Sequence, residues 1–217
     1  MCLSLTACAS INDENSIFDS LNNYFSSSVE DNNLRFNHTS DTFTYYLPSD
    51  VFELDSNKNA IILSFNNSTI IMNLNIASII ASSGLEHAII KDDGFFDNNK
   101  VIYTYTGKYI NADDINTDFI YNLYKDSDKY LINFVSSDLN FYVTCPYNDV
   151  LNVTSRILRI ARSTSIDREV IINSYSNKNT IDYDKKQINL FEYSMPSSGL
   201  LSELVDYTNY GSNKARQ

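Results

Sequence analysis

Few residues in this chain have the type and spacing to do chemistry. The histidines are His38 and His87, the cysteines are Cys2, Cys8 and Cys145, and two acidic clusters stand out, Asp92, Asp93 and Asp97, and Asp113, Asp114 and Asp118. A nucleophilic triad or a zinc site needs a histidine oriented by partners. His38 lies between Asn37 and Thr39 in a polar stretch, His87 follows Glu86 in an apolar one, and neither has such partners marked out in the sequence. Carboxylates alone can form an acid/base pair or a calcium cage, but neither cluster keeps EF-hand spacing. Gly84, Gly94, Gly107, Gly199 and Gly211 are too scattered for a phosphate cradle. Neither a Gly-x-Ser-x-Gly elbow nor a His-Glu-x-x-His pair occurs. The expectation is a non-enzymatic protein without cofactor or metal.

Cys8 is the residue with a chemistry written around it. Leu5-Thr6-Ala7-Cys8 is followed by Ala9 and Ser10, so an apolar residue and two small ones precede the cysteine. The stretch resembles the signal sequences of bacterial lipoproteins. That resemblance implies a thioether-linked diacylglycerol on Cys8, cleavage before it, and acylation of the new amino terminus. It also implies a lipid anchor on the extracytoplasmic side of the cell membrane, with residues 1–7 as the remnant of the signal. Each buried methylene contributes roughly 0.8 kcal/mol, so two or more acyl chains hold stably without a membrane span. No run after Cys8 approaches the ~18 consecutive apolar residues of such a span.

Composition sets the remaining bounds. A chain of 217 residues, 43% hydrophobic and 13% aromatic, can bury a core and fold. A net charge of −11 argues against nucleic acid as a partner and against adsorption to anionic lipid by charge. With Cys2 in the signal and Cys8 acylated, Cys145 has no disulfide partner, and its place in an alternating apolar segment before Pro146 suits a small buried hydrophobe.

The elements that would position any site follow in order. Residues 8–41 read as anchor and polar tether, in which Ile17, Phe18, Leu21, Tyr24, Phe25 and Val29 keep helical spacing. Serines and asparagines weaken that helix and its acids oppose anionic lipid, which favours docking on the domain over a membrane-lying or partner-binding role. Residues 42–195 read as one α+β domain. It opens with strands over 43–47 and 51–54, a hairpin over 60–66 and 69–76, and a helix or packed excursion over 77–90. An antiparallel meander follows, with Val101, Tyr103 and Tyr105 on one face, then Phe119, Tyr121 and Leu123, then Tyr130, Ile132 and Phe134, then Leu139, Phe141, Val143 and Cys145. The clearest helix runs over about 149–162, capped by Asn148 or Asp149, with its arginines in water. Further strands are expected over 170–175 and 188–193, and residues 196–217 form a tail with at most a turn of helix over 200–207.

Two surfaces could meet a ligand. Tyr103, Tyr105, Tyr121 and Tyr130 could stack on a glycan or peptide, although alternation expects many of them to cover the core under a helix. Arg156, Arg159 and Arg162 could bind an anion, although cations toward a helix C-terminus also favour its dipole. The order of strand, hairpin, Tyr-rich meander and amphipathic helix over residues 42–165 looks like the PsbP and DcrB-like group. That likeness implies an α/β/α sandwich and an accessory or binding role, with no catalytic residues to carry over. The leading expectation is an anchored binding domain that meets an envelope protein or glycan. A carboxylate-dependent hydrolase and a soluble intracellular module with an incidental Cys8 are the alternatives.

Overall fold

The computed structural model describes residues 14–27, 35–82 and 101–175. In chain order the elements are α1 (Glu14–Ser27), β1 (His38–Thr39), β2 (Phe43–Tyr45), β3 (Phe52–Ser56), β4 (Ala60–Phe65), β5 (Ser68–Leu74) and α2 (Ile76–Ser82). They continue with β6 (Val101–Ile110), β7 (Asn116–Asp126), β8 (Lys129–Ser136), β9 (Leu139–Pro146), a 3-10 turn (Tyr147–Asp149), α3 (Val150–Ser163), β10 (Ser165–Ile166) and α4 (Arg168–Tyr175). The fold is α+β. A seven-stranded antiparallel sheet has the order β3-β4-β5-β9-β8-β7-β6, and a small three-stranded one has the order β1-β2-β10.

Period-two alternation builds the large sheet's core face. Tyr105, Tyr121, Phe134, Phe141, Met72 and Ile61 are successive cross-strand neighbours over six strands. Such rows are the unit of sheet stabilisation. Leu21 and Phe25 of α1, Ile76 and Ile79 of α2, six apolar residues of α3 and Ile171 of α4 join this face in one cluster. The opposite face carries a smaller cluster of Ile71, Tyr124, Leu131 and Tyr142, with Val101 against it. Val101 was expected beside Tyr103 and Tyr105, but an irregularity between Val101 and Tyr103 shifts the register and turns Val101 to the other face. A single inserted residue suffices, because side chains alternate strictly.

Two further expectations are corrected. Residues 170–175 form helix rather than strand: Asp167 Oδ1 accepts the Val170 N–H at 3.0 Å and Glu169 lies in the first turn, so a capped start outweighs the β preference of Val170, Ile171 and Ile172. Asp149 precedes α3 as expected but makes no side-chain cap; the Val150 N–H bonds instead to the Tyr147 carbonyl through the 3-10 turn. The segments 83–100 and 176–217, with the strand expected over 188–193 and the tail, lie outside the described residues.

The helix inside the expected tether belongs to the packed body. Leu21 is fully buried and Phe25 nearly so. Leu21→Ala is therefore expected to lower unfolding free energy by about 2–5 kcal/mol, while Asn23→Ala on the exposed face changes it by less than ~0.5 kcal/mol. Urea denaturation of the two variants checks this, and equal midpoints would show that α1 does not contribute to the fold.

Candidate functional site

A recess of about 280 Å³ opens between the end of α1, the C-terminal half of α3 and the strand β6. Phe25 and Ser26 come from α1, Tyr105, Gly107, Lys108 and Tyr109 from β6, Phe119 from β7, and Leu158 and Arg162 from α3. The rings pack in order: Phe25 stacks on Tyr105 at 4.4 Å between centroids, Tyr105 lies 6.0 Å from Phe119, and Phe119 stacks on Phe134 at 5.0 Å. Gly107 makes room for them. A Cβ there would stand 2.8 Å from the Tyr105 ring and 2.9 Å from the Phe119 ring. Sealed and empty, a cavity of 280 Å³ would cost about 7 kcal/mol at ~24 cal/mol per Å³, comparable to the whole stability of a domain. The space is therefore one that solvent or a ligand fills.

Most polar groups on the walls are already engaged. Ser26 Oγ donates to the Asn22 carbonyl at 2.7 Å, and Tyr109 OH donates to Ser136 Oγ at 3.2 Å. Lys108 Nζ reaches Asp118 Oδ1 at 3.0 Å across the neighbouring strand. Arg162 is only 8% exposed and has interactions of its own.

The structure separates the residues singled out in the sequence. Tyr121 and Tyr130 are buried and form no platform: Tyr121 OH shares a 2.9 Å hydrogen bond with Thr154 Oγ1 beneath α3, and Tyr130 OH donates to Glu14 Oε1 at 3.2 Å. Tyr103 stacks on Phe18 and donates to Asn22 Oδ1 at 2.8 Å, which leaves Tyr105 as the member of the set that lines the recess. The arginines of α3 also diverge from a uniform solvated row. Arg156 lies 4.6 Å over Phe65 and pairs with Asp50 at 2.6 Å, Arg159 lies 4.7 Å over Tyr46, and Arg162 is buried at the recess. Phe25, Gly107, Tyr109, Phe119 and Leu158 were not singled out as site residues. The signal that could have found them is Gly107 itself, since glycine inside a strand marks a close approach.

Asp113 accepts Ser165 Oγ at 2.5 Å and Asp118 pairs with Lys108, while Asp92, Asp93, Asp97 and His87 lie outside the described residues. His38 Nδ1 is 3.0 Å from Asn37 Oδ1 in β1. Among the described residues no group of three or more His, Cys, Asp or Glu is placed to hold a metal. Burial pushes the Cys145 thiol well above its usual range, with Asp149 adding to the effect, so it is an inert core group. Cys8 lies outside the described residues. No described helix is long and apolar enough to cross a membrane. No family model matches the sequence, and no curated protein and no solved structure matches it.

The N-terminal end of α1 is clamped by a second cluster. Glu14 Oε1 contacts Lys125 Nζ near the end of β7 and accepts the hydroxyl of Tyr130, the cross-strand neighbour of Lys125 on β8. The Lys125 hydrogen bond holds the Glu14 carboxyl below the ordinary glutamate range, against a smaller opposing effect of burial. In the unfolded chain that pKa returns to about 4.3. The clamp's contribution is therefore complete above the unfolded value and is lost as pH falls through the folded one. A carbon-detected NMR titration is expected to place Glu14 below the other glutamates and to move it up in Lys125→Met. An unmoved titration would mean that the pair does not form in solution.

Proposed function

We propose that this chain is a non-enzymatic binding domain, held by lipid on Cys8 at the outer face of a bacterial cytoplasmic membrane, where it engages another envelope component. The observation that carries the reading is Leu5-Thr6-Ala7-Cys8, which ends six positions before Glu14. Lys125 and Tyr130 hold Glu14 to the sheet. At ~3.6 Å per residue the intervening chain reaches no more than about 22 Å, so a lipid at Cys8 would keep the folded body close to the bilayer. The recess is walled by Phe25 and Ser26 at the other end of α1. At 1.5 Å per residue that is roughly 17 Å along the helix from its anchored end. Its walls combine aromatic rings and Leu158 with the Ser26 hydroxyl, the Lys108 ammonium and the Arg162 guanidinium, a mixed lining of the kind that holds a ligand by contact and orientation.

The test is the N-terminal mass and detergent-phase partitioning of the protein expressed from its native locus, beside a Cys8→Ala control. Diacylglycerol on Cys8 and recovery in the detergent phase, both lost in the control, are expected. An unmodified chain recovered in the aqueous phase would remove the envelope address and the reading with it.

A further inference from the structure

Among the described residues the large sheet ends in β3 on one side and β6 on the other, and the two edges are unequally guarded. We propose that the unguarded edge, β6, pairs antiparallel with β6 of a second copy of this chain, joining two sheets into one. The proposal is independent of the lipid and of the recess. Sheet edges are blunted by short strands, bulges, prolines and charges. At one end β3 has five residues, a register irregularity between Glu53 and Asp55, and those two carboxylates. At the other end β6 is ten residues long and contains no proline. From Tyr103 to Ile110 its register with β7 is unbroken, and its one charge there, Lys108, is drawn inward to Asp118, its cross-strand neighbour on β7. Thr104, Thr106, Lys108 and Ile110 are exposed, and Tyr103 and Tyr105 are only half-buried.

The sequence of β6 says what fits it. Residues 103–109 read Tyr-Thr-Tyr-Thr-Gly-Lys-Tyr, nearly the same from either end. An antiparallel copy turned about Thr106 therefore sets Thr106 against Thr106, Tyr103 against Tyr109, Tyr105 against Gly107 and Thr104 against Lys108. Aromatic pairs and Thr–Thr pairs stabilise antiparallel ladders, and a ring opposite a glycine covers the backbone that glycine leaves bare. No two charges face each other in that register. Any extended peptide meets the unpaired groups of an edge; the near-symmetry of 103–109 is what selects a copy of the chain. The two-fold axis keeps the alternation of side chains in step, so the helices of both copies lie on the same side of the joined sheet. They have room there. Phe18 rests on Tyr103 of β6, and Phe25 on Tyr105 of β6 and on Phe119 and Tyr121 of β7, so α1 runs above both strands. With strands ~4.8 Å apart, the two α1 axes pass about 10 Å from each other, an ordinary spacing for packed helices. Asn22 and Ser26, exposed on α1 beside β6, bring no charge into that contact.

The experiment uses the full chain with Cys2→Ala and Cys8→Ala, which leaves the buried Cys145 and removes both lipid and stray disulfides as ways to join copies. Sedimentation equilibrium is expected to show reversible dimers within the micromolar range. Thr106→Glu and Thr106→Lys each set like charges together on the two-fold axis and should each weaken self-association at least about tenfold. An equimolar mixture of the two should recover the dimer. Asn67→Glu, the same charge change in the exposed β4–β5 turn, should associate as the parent does. Should a charged variant fail to fold, Thr106→Cys decides: paired Cα atoms about 4.5–5.5 Å apart suit a disulfide, so mild oxidation should link two copies there and not in Asn67→Cys. A parent that stays monomeric, charged variants that associate as it does, a mixture that stays monomeric, or no link in Thr106→Cys would each overturn the proposal. An unlipidated Cys8 would leave this result untouched, so the two readings fail separately.

Discussion

The folded body depends on tyrosines whose hydroxyls tie one element to another as their rings pack. The chain has 16 of them, and an unpaired hydroxyl taken out of water costs about 1–3 kcal/mol. Each of the following tyrosines meets that requirement by tying two elements together. Tyr121 OH meets Thr154 on α3, Tyr103 OH meets Asn22 on α1, Tyr130 OH meets Glu14 at the start of α1, Tyr45 OH meets Glu53 on β3, and Tyr109 OH meets Ser136 at the end of β8. Each hydroxyl therefore specifies where its partner element must lie, beyond what the apolar part of the ring requires. Burial pushes the Tyr121 and Tyr109 hydroxyls well above the ordinary phenol range, and the Tyr103 hydroxyl up to about 12. All of them stay protonated donors across the biological pH range.

That requirement explains why α1 is fixed rather than loose. Its serines and asparagines are poor helix formers, and in isolation a 14-residue helix of this composition would be marginal. What it gains comes from the sheet: Leu21 and Phe25 in the core, Phe18 stacked on Tyr103, and the Lys125 clamp at Glu14. The arginine side of α3 follows a similar logic. Arg156 and Arg159 lay their guanidinium groups over Phe65 and Tyr46, covering ring faces that would otherwise meet solvent, while Ser163 Oγ accepts the Tyr46 N–H and joins the small sheet to the helix end. Cation–π contacts of this kind contribute about 0.5–1 kcal/mol each at exposed sites. They give those arginines a structural use that charge counting alone does not reveal.

The parts legible in the sequence are those governed by period. Strict alternation in residues 119–145 marks the core face of β7, β8 and β9, and the 3.6-residue pattern marks α3 to within a residue. Local reasoning fails where one residue changes the count or where a cap competes with propensity. A register shift hides Val101 on the opposite face, and Asp167 turns a β-rich triplet into α4. The recess was harder to see. It is made by residues far apart in the chain, and its rings look in sequence like any other core aromatics; only Gly107, unsupported by any turn or loop, hints that something else occupies the space of its side chain. The arginine pattern misled in the other direction, because solvent-facing spacing on α3 does not report that Arg162 is buried and lines the same recess as Phe25 and Ser26.

Helix direction adds a constraint on the recess that the side chains alone do not show. Both α1 and α3 reach it with their C-terminal halves, through Phe25 and Ser26 on one and Leu158 and Arg162 on the other. A helix C-terminus carries about half a negative charge, and at the end of α3 the Ile160 and Ala161 carbonyls are met by Ser163 Oγ, Thr164 Oγ1 and the Thr164 N–H. Arg162 is the basic residue in the last turn of α3, and α1 has none in its last turn. The Arg162 guanidinium therefore compensates the dipole at the end of its own helix before it could serve an incoming anion. An anionic ligand would have to displace that compensation.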